Sequence, residues 1–439
     1  MKEEVKNSGI YWLGDIPMSW SIGRVKDFYT LQTGFTPDTK NDMYYDDVNG
    51  KLWVNISDLG NSYYINDTKK KISDYYIETH KPLIVPKGSL LYSFKLSVGT
   101  VAVAGCDLYT NEAIASFLNN DRVNLNYLYY SSQVCIIHNA NENIYGAKLL
   151  NQDLIKNAFI VFPPLLKQLK IADYLDKVCG EVDELVVLQE QMIEEMKAYK
   201  QSIITEAVTK GLNPNVPMKN SGIDWIGEIP EYWKLEPIKY CFGRRSEKNS
   251  PVKTEERLSL SIDKGVTLYA EKTTNLDRFK DDFTQYQLAY PNDIVLNCMN
   301  MIVGAVGLSN YMGCVSPVYY VIYPSKQNIN PLYYSYLLNI PTIRGVYYSL
   351  GKGIYAIERG EGRVNTCRLK VSYNDFGRLE IPVPPVQEQK DITLYIQKKC
   401  SEIDSLIAIK QQKIEELKEY KKSVIYEYVT GKKEVPYGE

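Results

Sequence analysis

The chain has 439 residues, too many for one hydrophobic core, and its length suggests two to four domains. With 51 Lys and Arg against 53 Asp and Glu, the net charge of −2 provides no global field for a polyanion, so a nucleic-acid partner requires a local basic face. A hydrophobic fraction of 44% can build cores, while no run approaches the ~18 apolar residues of a membrane span and the N-terminus does not resemble a signal peptide, so a cytoplasmic protein is expected. Eight dispersed cysteines with no CxxC pair, assisted only by His80 and His138, argue against a disulfide framework or a metal site.

After a short tail, residues 7–20 read NSGIYWLGDIPMSW and return as NSGIDWIGEIPEYW at residues 220–233, which sets Trp12 on Trp225 at an offset of 213. Residues 86–106 and 291–310 match more loosely, each reading as a turn, a short apolar strand, a polar segment and a second strand entered through Gly99 or Gly304. Residues 124–130 echo 328–334 as the start of a helix, and the second asparagine of each, Asn126 or Asn330, is the expected cap. Each globular part then ends in a β-like run, 159–162 or 379–383, that leads straight into a proline pair.

Those pairs open the longest repeat. Residues 163–211 and 384–432 superimpose without a gap at an offset of 221, which places Tyr174 on Tyr395, Cys179 on Cys400, Asp183 on Asp404 and Tyr199-Lys200 on Tyr420-Lys421. Proline is tolerated at a helix entrance, and about 45 proline-free residues follow each pair, enough for a helix of roughly 65–70 Å. In the first copy Leu175, Val178, Val182, Leu185, Met192, Met196, Tyr199 and Ile203 form a coiled-coil stripe with Gln189 as its polar member. The second stripe, Ile396, Ile403, Leu406, Leu417, Tyr420 and Val424, is interrupted by lysines, so Ile407, Ile409 and Ile414 share its load. Cys179 and Cys400 read as small packing residues.

The expected organisation is a first head at 1–162, a helix at 163–211, a second head at 212–383, a helix at 384–432 and a tail at 433–439. The fold class is α+β: two similar mixed α/β heads separated by two long antiparallel helices in a coiled coil. Because the chain stops where a third NSGI segment would begin, its N-terminus belongs beside the end of the second helix. That closure is quasi-circular and pseudo-twofold, with the heads at opposite ends of a rod.

Two related heads on a rigid spacer suit a two-part target such as duplex DNA, whose helical turn of about 34–36 Å is commensurate with such a rod. Candidate DNA-contacting residues come from the variable, polar loops. In the second head, Lys352, Tyr355, Arg359 and Arg363 lie in a glycine-rich run, with Asn300 in an earlier segment; in the first head the counterparts are Tyr145 and Lys148, with Lys95 and Ser97 earlier. Lysine and arginine supply phosphate contacts, and arginine also binds a guanine edge through two hydrogen bonds. Taken singly, each reads equally well as a solvated loop charge; the signal lies in the group. The 37 tyrosines, several in adjacent pairs, read mainly as core packing. No GxxxxGK[ST], GxSxG or HExxH motif is present, so no catalytic residue is assigned. The alternative from another class is a coiled-coil scaffold with protein-binding heads and no DNA specificity.

The repeated PPxxxQ entrance, the terminal Tyr-Lys pair and the NSGIxWxGxIPxxW opening of each half resemble the specificity subunit of type I restriction-modification enzymes, from about residue 7 to residue 432. The resemblance implies two target recognition domains, each reading half of a split DNA sequence, with the helices setting the spacer and docking two methyltransferase subunits. A restriction and translocase subunit completes such a complex. S-adenosylmethionine, ATP and Mg are then expected in the partners, and none in this chain, which would be non-catalytic. Gln387-Glu388-Gln389 fits the family's PPxxEQ, whereas Lys167-Gln168 replaces Glu-Gln in the first copy. Loss of that carboxylate at a helix start implies a cost of roughly 0.5–1 kcal/mol.

Overall fold

The computed structural model describes residues 4–60, 62–118, 123–142, 144, 146, 148–271, 282–354, 358–359, 363–364 and 368–436. They form two compact units, residues 1–190 with 411–439, and residues 191–410. The long helices Leu165–Lys210 and Val386–Val429 start directly after their proline pairs, as the repeat requires. Because the unit boundary crosses both helices, each unit is a head built onto part of one helix and the complementary part of the other.

In the first unit the helix segments run antiparallel: the Tyr428 hydroxyl meets the Tyr174 hydroxyl at 3.2 Å, and Lys421 Nζ reaches the Asp183 carboxylate at 2.7 Å. The opening segment of the chain closes onto the end of the second helix. Tyr426 donates to the Trp12 carbonyl at 3.1 Å and Lys432 to the Leu13 carbonyl at 2.6 Å, which holds the first NSGI segment against the end of the second helix. The head's main sheet has the strand order Leu31–Thr33, Ile114–Phe117, Leu90–Ser93, Val101–Ala104, Tyr64–Ile65, antiparallel except for the last pair. The period-2 alternation of a strand explains its wholly apolar runs. Leu90, Tyr92, Val101 and Val103 face the principal core, while Leu91, Ala102 and Ala104 face a second cluster with Val54 and Ile114.

The second unit repeats the plan. Lys200 Nζ reaches the Asp404 carboxylate at 2.6 Å, and Lys410 approaches the Met192 sulfur at 3.4 Å, again with antiparallel helix segments. Its main sheet has the order Phe242–Arg245, Tyr319–Pro324, Ile294–Asn297, Val306–Leu308, entirely antiparallel. In both units the strand that feeds the proline pair is fixed by the strand following the repeated opening segment: Phe159–Phe162 on Ser21–Arg24, and Glu380–Val383 on Lys234–Pro237.

The glutamine repeated at each helix entrance ties head to helix. Gln168 is buried; its Oε1 accepts from the Asn124 amide at 2.9 Å and its Nε2 donates to the Pro163 carbonyl at 2.9 Å. Gln389 accepts from the Asn330 amide at 2.8 Å and donates to the Asn328 and Pro384 carbonyls at 2.9 and 2.8 Å. These bonds make Asn124 the counterpart of Asn330, and Asn124, not Asn126, caps the helix Leu125–Cys135 through its side chain. The sequence echo is thereby shifted two residues, and Tyr127 matches Tyr333. Both are fully buried, Tyr127 donating to the Val161 and Val429 carbonyls and Tyr333 to that of Val208.

The helix stripes also differ in detail from the sequence reading. Ile193, Ile203, Ile403, Ile407, Ile414 and Val424 are buried, but Leu185, Tyr199, Leu406, Ile409 and Tyr420 are 46%, 62%, 49%, 63% and 54% exposed. A 3.6-residue helix drifts about 20° per heptad from a strict seven-residue stripe, which over the 46 residues of the first helix adds up to about one residue position.

Candidate nucleic-acid interface

In each head two adjacent strands of the main sheet are joined by a loop projecting from its end: residues 94–100 in the first and 298–305 in the second. Phe94 anchors the first loop in the core, while Lys95, Leu96 and Ser97 face outward, Leu96 in the left-handed region with φ of 59°. Lys95 stretches over the Phe94 ring, its Nζ 5.9 Å from the centroid. Beside it, a hydrogen bond from Thr36 and, more weakly, the Lys95 ammonium hold the Glu112 carboxyl below its usual range. Lys95 therefore faces an acid of its own head.

The second loop is anchored at two points, Cys298 and Met301, both fully buried. Asn300 is exposed between them, and its carbonyl accepts from the Val303 and Ala305 amides at 3.1 Å each, which fixes the backbone around it. The Cys298 carbonyl accepts from the Val371 amide at 3.1 Å, so the loop docks against the end of strand Arg368–Lys370. Burial pushes the Cys298 thiol up, and the nearby Lys370 and Arg244 charges oppose that rise. Arg244 is exposed and lies 5.2 and 4.7 Å from the Tyr320 and Tyr373 ring centroids. Its neighbour Arg245 is instead neutralised by Asp293, at 2.6 and 2.9 Å.

A hairpin precedes the final framing helix in each head, and its charge arrangement differs between them. In the first head Glu142 is the register partner of Lys148, and the two form an ion pair. In the second head Lys352 of strand Lys352–Ile354 stands opposite Lys370, both exposed. Like charges directly opposed across a ladder repel, and among the described residues no ion pair relieves either lysine. Lys352, Lys370 and Arg244 thus place three basic groups beside the anchored loop that carries Asn300.

Of the residues expected from the sequence, Lys352 and Asn300 are brought to this one region; Lys95 and Ser97 share the first loop, and Lys148 is paired within its own head. Arg359 and Arg363 are register partners in a second short hairpin, with only their backbones described, while Tyr145 and Tyr355 lie outside the described residues. Sequence reasoning did not single out Lys370 and Arg244, because it searched loops and both occupy strands whose place beside the anchored loop is set only by the assembled sheet.

Residues 17–195 match the family model described as the type I restriction modification DNA specificity domain. The chain is 24% identical to the MjaX type I restriction enzyme specificity subunit of Methanocaldococcus jannaschii, over 96% of this chain and 95% of that protein. It is 27% identical to the MjaIX specificity subunit of the same organism over 54% and 55% of the two chains. Among solved structures, a chain from a type I R-M system aligns with a TM-score of 0.63 at 14% identity, covering 94% of this chain and 98% of that one. The HsdS subunit of Thermoanaerobacter tengcongensis aligns with a TM-score of 0.50 at 14% identity, covering 97% and 99%. No helix among the described residues is long and apolar enough to cross a membrane.

Proposed function

We infer that this chain, which belongs to the specificity-subunit family of type I restriction-modification systems, reads a two-part duplex DNA target, one half-site per head. The observation that carries this reading is the duplicated unit itself: a variable head locked by a buried glutamine onto segments of both long helices. The basic region of the second head, built from Lys352, Lys370 and Arg244 around Asn300, supplies the local positive face that the chain's net charge of −2 does not. Of the sequence candidates, Lys95, Ser97, Tyr145 and Lys148 would serve the first half-site, and Asn300, Lys352, Tyr355, Arg359 and Arg363 the second.

The helices would set the spacer and dock two methyltransferase subunits. Leu185, Leu188 and Tyr420 are exposed in the first unit, and their repeat counterparts Leu406, Ile409 and Tyr199 are exposed in the second. Two equivalent apolar patches fit two copies of one partner. Chemistry would reside in the partners, with S-adenosylmethionine in the methyltransferase and ATP and Mg in a restriction and translocase subunit, leaving this chain non-catalytic. The scaffold alternative is not favoured, since it leaves the DNA specificity domain match without a role.

Mapping methylated adenines across the genome in cells with and without the chain tests the reading. A bipartite motif with a fixed spacer that disappears with the chain is expected; an unchanged methylation map would sink it. Joint replacement of Lys352, Arg359 and Arg363 by Ala should alter one half-site and spare the other. Binding should weaken with added salt, because phosphate contacts release counterions.

A further inference from the structure

We propose that Arg344 is a specificity-determining residue of the second head, held in plane by Asn339 so that its outer edge reads a guanine. The proposal rests on the DNA-reading role above and names a residue within it. Arg344 sits in the first turns of helix Pro341–Leu350, where its Nε and Nη2 both donate to Asn339 Oδ1, at 3.3 and 3.0 Å. Asn339 is itself tied back to the Val306 carbonyl through Nδ2, at 3.5 Å. Two N–H groups of the guanidinium are thereby used, and the Nη1/Nη2 fork keeps its remaining donors.

That fork lies against the anchored loop. Gly304 has φ of 99°, and a Cβ there would stand 2.8 Å from both Arg344 Cζ and Nη2 and 3.1 Å from Asn339 Oδ1. Glycine at 304 thus meets two demands at once, a left-handed backbone and room for the guanidinium beside the loop that carries Asn300. Tyr348, four residues on and so on the same side of the helix, is 54% exposed, and Lys352 follows in the basic hairpin.

The charge environment separates Arg344 from a structural arginine. Arg245 is held by Asp293 and raised by it, whereas burial lowers the Arg344 pKa and the one opposing influence is the Tyr347 phenol. Among the described residues no carboxylate forms an ion pair with Arg344. A half-buried, oriented guanidinium whose partner is a neutral amide keeps its charge uncompensated and its remaining N–H donors in need of an acceptor. Guanine O6 and N7 meet a planar fork of this kind through two hydrogen bonds, and lysine cannot reproduce the geometry.

The test is selection from a randomised duplex library by the full-length chain co-purified with its methyltransferase, comparing wild type with Arg344→Lys, Arg344→Gln and Asn339→Ala. Both arginine variants should lose a guanine preference at one position of the second half-site by roughly ten- to a hundredfold, with the first half-site and the melting temperature retained. Asn339→Ala should relax the same position to a smaller degree, as expected of a positioning residue. Weakening spread evenly over all sequences, restored by Arg344→Lys, would mean a phosphate contact and overturn the proposal. If wild type selects a bipartite site and the variants select the same one, the role of Arg344 falls alone. A wild-type chain that selects no sequence overturns the DNA-reading role, and this inference with it.

Discussion

The two units follow one plan, yet they differ at the residue before the entrance glutamine: Lys167 in the first, Glu388 in the second. The Glu388 carboxylate accepts from the Trp233 indole at 3.0 Å and from the Tyr232 hydroxyl at 3.0 Å. In the first unit the matching Trp20 is 3% exposed, and its indole nitrogen is buried with no hydrogen-bond partner. The entrance glutamate is therefore an acceptor for the head's last repeated tryptophan, not merely a charge at a helix start. The same imbalance recurs in the core, where the one Tyr127 hydroxyl serves two carbonyls while Tyr333 and Tyr334 divide the equivalent pair. All seven buried side-chain groups without a partner among the described residues, from Trp20 to Ser131, belong to the first unit. The first unit is thus the less satisfied of two homologous solutions, and under native-state hydrogen exchange it should be the first to open.

The largest test of that comparison lies at the glutamine locks. Gln389→Ala strands one amide and two carbonyls, and Gln168→Ala one amide and one carbonyl, so losses of about 2–4 kcal/mol are expected, larger at 389. Equal losses in urea unfolding would break the ranking. Next come mirrored exchanges at the entrance. Glu388→Lys should cost about 1–2 kcal/mol by orphaning the buried Trp233 indole, the half-exposed Tyr232 hydroxyl turning to water, whereas Lys167→Glu should stabilise the first unit by about 1 kcal/mol by giving Trp20 its acceptor. If Lys167→Glu leaves exchange protection of the first unit unchanged, the acceptor account is wrong.

Much of this architecture was legible because repeats are conspicuous in sequence. The proline pairs bounded both helices, and the offset of 221 placed Asp183 with Asp404 and Lys200 with Lys421. What was not legible depends on tertiary partners. No local signal says that Asn124 rather than Asn126 caps its helix, since the choice follows from a bond made by Gln168 from 44 residues away. The seam shifted from Leu185 and Tyr199 for a similar reason: apolar residues fall on both sides of it, and only the partner helix decides which are covered. Lys370 and Arg244 escaped because strand residues acquire a role as a basic face only once the sheet is assembled.

A smaller effect distinguishes the units by acid. His138 stacks on Trp12, with centroids 4.2 Å apart and planes within 7°, and burial followed by the Lys148 charge lowers its pKa below the usual value near 6.5. The fold therefore favours the neutral ring. The unfolded chain takes up its proton first as pH falls, so this contribution is fully present above about pH 6.5 and is lost below it, down to the folded-state pKa. Both histidines of the chain lie in the first head, so mild acid should open the first unit selectively, and His138→Asn should remove the dependence. Equal acid sensitivity of the two units would contradict this assignment.

The smallest expected effect tests the equivalence of the units most directly. Asp183 pairs with Lys421 and Asp404 with Lys200, so each repeat lends its lysine to the aspartate of the other. The pairs are matched in exposure, 60% and 31% for the first and 56% and 29% for the second, and at that exposure each should contribute no more than about 0.5 kcal/mol. Double-mutant cycles with Asp183→Asn and Lys421→Met, and with Asp404→Asn and Lys200→Met, should therefore return equal, small coupling energies that vanish in high salt. A coupling well above 1 kcal/mol in one pair alone would show that the helix segments of the two units are not interchangeable. The stability difference would then have to be sought along the helices and not in the heads and their entrances.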